Sequence, residues 1–255
     1  MLTGAGISAD SGIPPYRDDT GRWLHRAPIL HRDFLDSEAT RRRYWARSWH
    51  GWPVVRDALP NAAHRALAAL EERQRLELLV TQNVDRLHQR AGSARVVDLH
   101  GRLDRVRCLS CERAVARDAI QERLLPGVTD TGATGTMPRP DGDMDIDTKL
   151  ARQVQLPRCD HCAGDLMPDV VFFGGNIPRQ RVETCNAAIA RADALLVVGS
   201  SLKVFSGFRL CREAHRGGKP IAIVNRGATR ADCLANLSLH CAAAPLLQQV
   251  TAALH

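Results

Sequence analysis

Five short apolar runs punctuate the chain: LELLV (76–80), ARVVDL (94–99), DVVFF (169–173), ALLVVG (194–199) and PIAIVN (220–225). They are apolar at successive rather than alternate positions, as strands buried on both faces of a parallel sheet are. Stretches with helical spacing lie between them. In NAAHRALAALEERQR (61–75), Asn61 is placed to cap a helix whose apolar face is Ala62, Ala66, Leu67 and Leu70. RQRVETCNAAIARAD (179–193) predicts a second helix. Strand alternating with helix predicts an α/β fold, a Rossmann-like doubly wound parallel sheet. Ligands bind such sheets beyond the carboxyl ends of the strands, so the segments after each run are where chemistry is expected.

Residues 102–166 break this rhythm. They hold two CxxC pairs, Cys108/Cys111 and Cys159/Cys162, around a Gly-, Pro- and Asp-rich stretch (126–149) with little apolar periodicity. The pattern predicts a small module (102–166) inserted into a sheet domain built from 1–101 and 167–255, with a mobile acidic loop inside the module. Four thiolates suit one tetrahedral Zn²⁺ with no open coordination position, so the metal is expected to hold the module together rather than to react. His161, inside the second pair, is expected at the surface, and Cys185, Cys211, Cys233 and Cys241 are scattered.

Composition narrows the class. At 255 residues, 44% hydrophobic and 25% charged, the chain fits a globular domain with an insert. No apolar run approaches the roughly 18–20 residues of a membrane span, and the N-terminus lacks a signal-peptide pattern. A cytoplasmic protein is expected, whose cysteines serve metal or act as reactive thiols rather than form disulfides. The net charge of +7 comes from arginine, since Lys149, Lys203 and Lys219 are the only lysines. Those arginines are dispersed outside RRRYWAR (41–47), and aromatics make up 4% of the chain, so a nucleic-acid platform is not expected.

The strand ends carry the candidate chemistry. In GAGISADSGIP (4–14), Gly4 and Gly6 are expected to allow positive φ and close backbone approach to an anion, and Ser8 to cap a helix. Only Met1, Leu2 and Thr3 precede this loop, against about 5–6 residues for an ordinary strand. The strand is therefore expected to be truncated, with the biological chain starting about 10–30 residues upstream. TQNVDRLH (81–88) puts Gln82, Asn83 and Asp85 beyond LELLV, where they could read a ribose and an amide or simply cap a helix. His100, in VVDLHG, suits a general base near neutral pH. VVGSSLKV (197–204) and IVNRGATR (223–230) end two further strands with hydroxyls, Gly199, Asn225 and Gly227, which suit diphosphate and ribose contacts.

In order, GAGIS, GIP-Y-R, TQNVDRLH, LHG, the paired CxxC knuckles, PDVVFFG, GSSL and N-RG-TR resemble the sirtuin (Sir2) family of NAD-dependent protein deacylases. The resemblance spans essentially the whole chain. RRYWARSWHGWP (42–53), FFGGNIP and SSLKVFSG are similar to the sirtuin-4-like branch and its bacterial relatives. The resemblance implies NAD as a consumed co-substrate, one structural Zn²⁺ on Cys108, Cys111, Cys159 and Cys162, and an acyl-lysine protein or peptide as partner. No membrane or nucleic-acid partner is expected, and the sequence gives no oligomeric state.

Carried over by position, Gly4, Ala5, Gly6, Ser8, Tyr16 and Arg17 would wrap the diphosphate and nicotinamide end. Gln82, Asn83 and Asp85 would hold nicotinamide and its ribose, Asn83 with a part in catalysis, and His100 would be the catalytic base. Gly199, Ser200, Ser201, Asn225, Arg226 and Gly227 would take the adenosine half, with Cys241 at the adenine. Val170, Val171, Phe172, Phe173 and Gly174 would pair as a strand with the substrate peptide. The implied reaction releases nicotinamide, lets the acyl oxygen attack the ribose carbon, and uses His100 to deprotonate a ribose hydroxyl. Its products are free lysine, nicotinamide and O-acyl-ADP-ribose.

Three positions depart from the family pattern. Pro15 stands where Asp is usual, Gly175 where an acidic residue is common, and Tyr16 where Phe is frequent. Protein ADP-ribosyl transfer on the same fold is an alternative. A Rossmann oxidoreductase is another, although Asp33 and Asp36 do not end a convincing second strand and the cysteine module would be unexplained. A zinc-ribbon nucleic-acid-binding protein is the third.

Overall fold

The computed structural model describes residues 1–18, 20, 22–24, 28–124, 139–144 and 154–254. Six strands form one parallel sheet in the order β3-β2-β1-β7-β8-β9: β1 (Leu2–Thr3), β2 (Leu79–Thr81), β3 (Val96–Asp98), β7 (Leu195–Val198), β8 (Ile221–Val224) and β9 (Leu237–Leu239). The chain works outwards from β1 in one direction and from β7 in the other, so the order reverses between them, where an open parallel sheet leaves a crevice at its carboxyl edge. β1 holds that central place with two residues. Leu2 pairs with Val80 on one side and Val197 on the other, and Thr3 with Thr81 and Val198.

Strand periodicity assigns each face its own core. Leu2, Val80, Val197 and Ile223 pack with residues of α6 (Arg179–Arg191) and α7 (Phe205–Arg216). Leu79 and Val198 face the other way, onto α3 (Ala62–Glu72) and α8 (Ala243–Ala253). Helix α3 starts where expected: the Asn61 side chain accepts from the N–H of Ala63 (2.9 Å), and His64 Nδ1 accepts from Asn61 N–H (3.2 Å), a reciprocal cap. Its buried face is Ala63, His64, Ala66, Leu67 and Leu70, displaced by one residue from the expected start at Ala62.

DVVFF was expected as a further parallel strand and is not one. β6 spans Leu166–Val170 and runs antiparallel to β4 (Gly101–Cys108), which also pairs with β5 (Ala114–Ala116). The apolar run is real, but it feeds a different core. Ile29, Phe34, Tyr44, Trp45 and Ala46 from α1 (His31–Asp36), α2 (Glu38–Asp57) and the segment before them pack against Val106, Ile120, Leu166 and Met167, with Phe172 at the edge. A second polar anchor lies here: Arg117, 1% exposed at the start of α5 (Arg117–Leu124), donates to Ser48 O and Oγ and sits against the Trp45 and Trp52 rings. Burial lowers its pKa to about 10.

Of the stretch 126–149, expected to be a mobile acidic loop, only 139–144 lies within the described residues. There it is packed, with Arg139 and Asp143 2% and 4% exposed. Arg47 of α2 pairs with Asp143 (2.7 Å), and a Cβ on Gly51 would lie 2.3 Å from Gly142 O, so the helix and this segment are in direct backbone contact. None of the described helices is long and apolar enough to cross a membrane.

Candidate active site

The loop after β1 and the loop after β7 touch at the topological switch. Ala5–Ser11 form a 3-10 helix, and Gly6 N–H donates to Gly199 O (2.9 Å). A Cβ on Gly4 would lie 2.8 Å from the Ser200 side chain, and one on Gly6 would lie 2.9 Å from Gly199 O. Close approach is thus the reason for both glycines. The expected positive φ is not: Gly4 has φ −145, Gly6 is outside the left-handed region, and it is Gly199 that adopts φ +60. Buried Leu202 also has φ +56, a strained conformation for a branched-chain residue, and these cluster at functional loops.

Ser8 does not cap a helix. It lies inside the 3-10 turn, where its Oγ donates to Asp85 Oδ2 (2.7 Å) and accepts from Asn83 Nδ2 (3.0 Å). Asn83 Nδ2 also reaches Gly4 O (3.1 Å), and Gln82 Nε2 donates to Ser200 Oγ (2.8 Å). The amides after β2 therefore brace both glycine loops. Burial raises the Asp85 pKa, opposed by the bonds from Leu87 N–H and Ser8. Asn61 secures the loop from behind, its Nδ2 donating to Ile7 O (2.8 Å) and Ser11 Oγ (3.0 Å).

His100 lies in the turn between β3 and β4, with Nδ1 3.0 Å from Gln82 O and Nε2 2.7 Å from Ser206 Oγ. A carbonyl only accepts, so Nδ1 carries the proton and Nε2 keeps its lone pair. Burial lowers the imidazole pKa, the Gln82 carbonyl partly offsets this, and Arg181 lowers it further. His100 is accordingly a neutral base at pH 7.

Gly4, Gly6, Ser8, Gln82, Asn83, Asp85, His100, Gly199, Ser200 and Ser206 line one cavity of about 890 Å³. So do Tyr16, Arg17 and Trp23 of the loop that returns over it, with Arg17 4.1 Å from the Trp23 ring centre. The Tyr16 hydroxyl has gained a partner, the carboxyl of Asp141, and burial followed by that carboxylate raises the phenol well above its ordinary pKa. Asp141 and Asp143 line the cavity too, and burial raises both carboxyls. Gly175 has a steric reason. A Cβ there would lie 3.0 Å from Phe172 O and 3.2 Å from the His31 ring, so His31 fills the space that an acidic side chain would need.

The four cysteines of the insert meet. The sulfurs of Cys108, Cys111, Cys159 and Cys162 lie within 4.8 Å of one another, with Cys108–Cys162 at 3.5 Å and Cys111–Cys159 at 3.7 Å. Zn–S bonds of about 2.3 Å in a tetrahedron require S···S near 3.8 Å, so the set fits zinc. Both knuckles use the same turn: Glu112 N–H returns to Cys108 O (3.1 Å) and Ala163 N–H to Cys159 O (2.8 Å), with Glu112 and Ala163 at φ +58 and +54. Each pair of sulfurs thereby faces one point.

The Sir2 family profile matches residues 4–206. The chain belongs to the Sir2 family. It is 53% identical over 261 aligned positions to an NAD-dependent protein deacetylase of Xanthomonas campestris pv. campestris strain 8004, covering 100% of this chain and 88% of the relative. It is 46% identical over 237 positions to an NAD-dependent protein deacylase SIR4 of Monosiga brevicollis, covering 91% and 76%. A solved structure of Sir2 with a p53 peptide and NAD⁺ superposes with a TM-score of 0.79 at 30% identity, covering 99% of this chain and 91% of that one.

Within this Sir2-family chain, the cavity brings together the whole expected set outside the zinc site. That includes Asn225, Arg226, Gly227 and Cys241 from beyond β8 and β9, and Val170–Gly174 from the end of β6 and the residues after it. Asn225 Nδ2 donates to Gly227 O (2.7 Å), and Arg226 lies 3.6 Å from Asp10, so the far loop closes on the glycine loop. The narrow cradle at Gly4, Gly6 and Gly199 leaves no room for side chains and suits a phosphate-bearing ligand such as NAD. The stretch after Val170 is not free strand throughout: Val171 N–H donates to His100 O, and Phe173 O accepts from His31 N–H. Sequence reasoning missed Asp141, Asp143 and Ser206 as lining residues. A DGD turn inside a low-complexity stretch and a serine in the first turn of a helix carry no signal of their own.

Proposed function

We propose that the chain is an NAD-dependent protein lysine deacylase in which His100 is the general base and Asn83 supports catalysis. The observation that carries the residue assignment is the paired anchoring of His100. Its Nδ1–H is held by the Gln82 carbonyl, and its basic Nε2 faces the cavity that the two glycine loops enclose. When bound, NAD supplies an electrophilic ribose carbon as nicotinamide leaves. Gly4, Ala5 and Gly6 with Gly199 would let the diphosphate approach the backbone closely, the Gly4, Gly6 and Gly199 N–H groups themselves being held by Val198 O, Gly199 O and Val224 O, while Ser200, Ser201, Asn225, Arg226, Gly227 and Cys241 would take the adenosine half. Gln82, Asn83 and Asp85 fix the floor under the nicotinamide ribose, and Tyr16 and Arg17 close over it. Neutral His100 then accepts a proton from a ribose hydroxyl, which becomes the nucleophile for acyl transfer.

The acyl-lysine peptide lies along Val170–Gly174. Because Phe173 O is bonded to His31 N–H, its pairing there uses the remaining backbone groups of the segment. The sheet domain of 1–101 and 167–255 would carry NAD and the module of 102–166 would be held by zinc; the separate three-stranded sheet supports two units, with β6 reaching Val170 and α1 and α2 packing on the zinc-bearing one. A cytosolic location accords with the bacterial relatives.

Replacing His100 by Ala tests the base. Acyl release from an acetyl-lysine peptide should fall by about 10²-fold or more, the scale of general-base catalysis, with melting temperature and zinc content retained. Near-normal turnover in a folded variant refutes the assignment. Mass spectrometry of the products, O-acyl-ADP-ribose against ADP-ribosylated protein, separates deacylation from ADP-ribosyl transfer.

A further inference from the structure

We propose that Ser206 is a positioning residue for His100, holding the imidazole so that Nε2 is presented to the ribose hydroxyl. The inference rests on His100 being the base. With the Nδ1 proton committed to Gln82 O, the lone pair on Nε2 can only accept, so Ser206 donates to it across 2.7 Å. One hydrogen bond at Nδ1 leaves the ring free to swing about that contact. A second at the opposite nitrogen removes that freedom, the tautomer being fixed already by the Gln82 carbonyl.

The placement of Ser206 supports this role. It lies in the first turn of α7, whose cap residue, Val204, makes no side-chain capping bond. A serine in such a turn commonly folds back on the helix backbone. Here the hydroxyl reaches away from the helix to a residue 106 positions earlier in the chain. The next residue shows why the turn lies so close. A Cβ on Gly207 would lie 2.5 Å from Gln82 Oε1, so this turn packs directly on the residue whose carbonyl holds Nδ1. One helical turn therefore supplies one anchor of the ring and packs on the side chain of the residue that supplies the other.

Ser206 Oγ also stands at hydrogen-bonding distance from Nε2, where a reacting hydroxyl must come. When the substrate hydroxyl takes that place, the serine rotates aside. Once the ring is protonated, the same oxygen can accept from Nε2–H, because a hydroxyl both donates and accepts. No bond to Ser206 is made or broken.

The test uses the full-length, zinc-loaded protein with NAD and an acetyl-lysine peptide, comparing Ser206→Ala, Ser206→Thr and His100→Ala. Two rates are read: deacylation, which needs the base, and exchange of labelled nicotinamide into NAD, which reports the bond broken before the base acts. Ser206→Ala should lower kcat for deacylation roughly tenfold, a modest case of misplacing a catalytic group. KM values and the exchange rate should stay within about twofold, and Ser206→Thr should recover most of the loss. Wild-type deacylation in Ser206→Ala overturns the proposal, as does a parallel fall in both rates or a threonine variant no better than alanine. A wild-type deacylation rate in His100→Ala sinks the base assignment itself; loss there with normal Ser206→Ala sinks only the role of Ser206. Should Ser206→Ala fail to fold, ¹⁵N shifts of His100 in the unaltered protein decide. An Nδ1–H tautomer at pH 8 whose bare Nε2 carries the upfield shift of a hydrogen-bond acceptor supports the anchoring, and an Nε2–H tautomer or the Nε2 shift of an unbonded lone pair overturns it.

Discussion

Alanine at Gly6 adds a single carbon at the point where the loop after β1 meets the loop after β7. That Cβ would lie 2.9 Å from Gly199 O and 3.1 Å from Gly199 C and Cα, all backbone atoms that no side-chain rotation can move aside. Gly6 is not in the left-handed region, so alanine suffers no φ penalty and gains about 0.4–1 kcal/mol from a less flexible unfolded chain. The overpacking costs about 1–3 kcal/mol, leaving a net loss between about 0 and 2.6 kcal/mol, centred at about 1.3. For a chain of this size the central value lowers Tm by about 3–5 °C. The loops must part by a few tenths of an ångström, and the bond from Gly6 N–H to Gly199 O, now 2.9 Å, lengthens. The cradle is the wall of the cavity, so KM for NAD should rise about five- to tenfold, close to 1–1.4 kcal/mol. Gly12→Ala is the control. Gly12 has φ +83, and no atom lies within 4 Å of the place an alanine methyl would take, so its cost is local backbone strain of about 1–2 kcal/mol with no push on the cradle. Differential scanning fluorimetry and steady-state kinetics should show Gly6→Ala losing both stability and NAD affinity, and Gly12→Ala losing stability alone. An unchanged KM in Gly6→Ala, or an equal rise in Gly12→Ala, would refute the close-approach argument.

Metal analysis should find one zinc per chain, and Cys111→Ser or Cys159→Ser should lose it, together with the cooperative melting of the three-stranded sheet; full zinc retention in either variant would contradict the four-sulfur site. Acid should destabilise the protein through His64 and His88, which are 0% and 1% exposed with ring centres 4.8 Å apart. Burial holds the His64 pKa down at about 4 against 6.5, and burial followed by the neighbouring His64 holds His88 well below its ordinary value. Above pH 6.5 both imidazoles are neutral folded or unfolded. Below it the unfolded chain takes up protons that the folded one refuses, so His64 alone costs about 3 kcal/mol of stability by pH 4. His64→Gln, which keeps an acceptor for Asn61 N–H, should flatten the fall of Tm between pH 6.5 and 4; an unchanged slope would assign the acid sensitivity elsewhere.

The sequence alone determined the features whose physics is local. Four of the five apolar runs, the Asn61 cap and the helical spacing of 61–72 each answer to neighbours along the chain, and they stand where the pattern places them. The CxxC pairs were legible for the same reason, because each knuckle is a closed turn that aims two sulfurs at one point. Tertiary structure decided what depends on distant partners. An apolar run does not say which sheet it joins, and DVVFF went to the antiparallel sheet because the aromatic face of α1 and α2 lay there to cover it. A glycine does not say whether it is needed for φ or for space; Gly4 and Gly6 are needed for space because Gly199 and Ser200, almost two hundred residues on, pass against them. Ser8 reads as a cap by position and becomes a brace because Asn83 and Asp85 arrive beside it. His100 could be recognised as a basic residue at a strand end, but its tautomer, and so which nitrogen can act, was set only when the Gln82 carbonyl closed on one side of its ring, with Ser206 on the other.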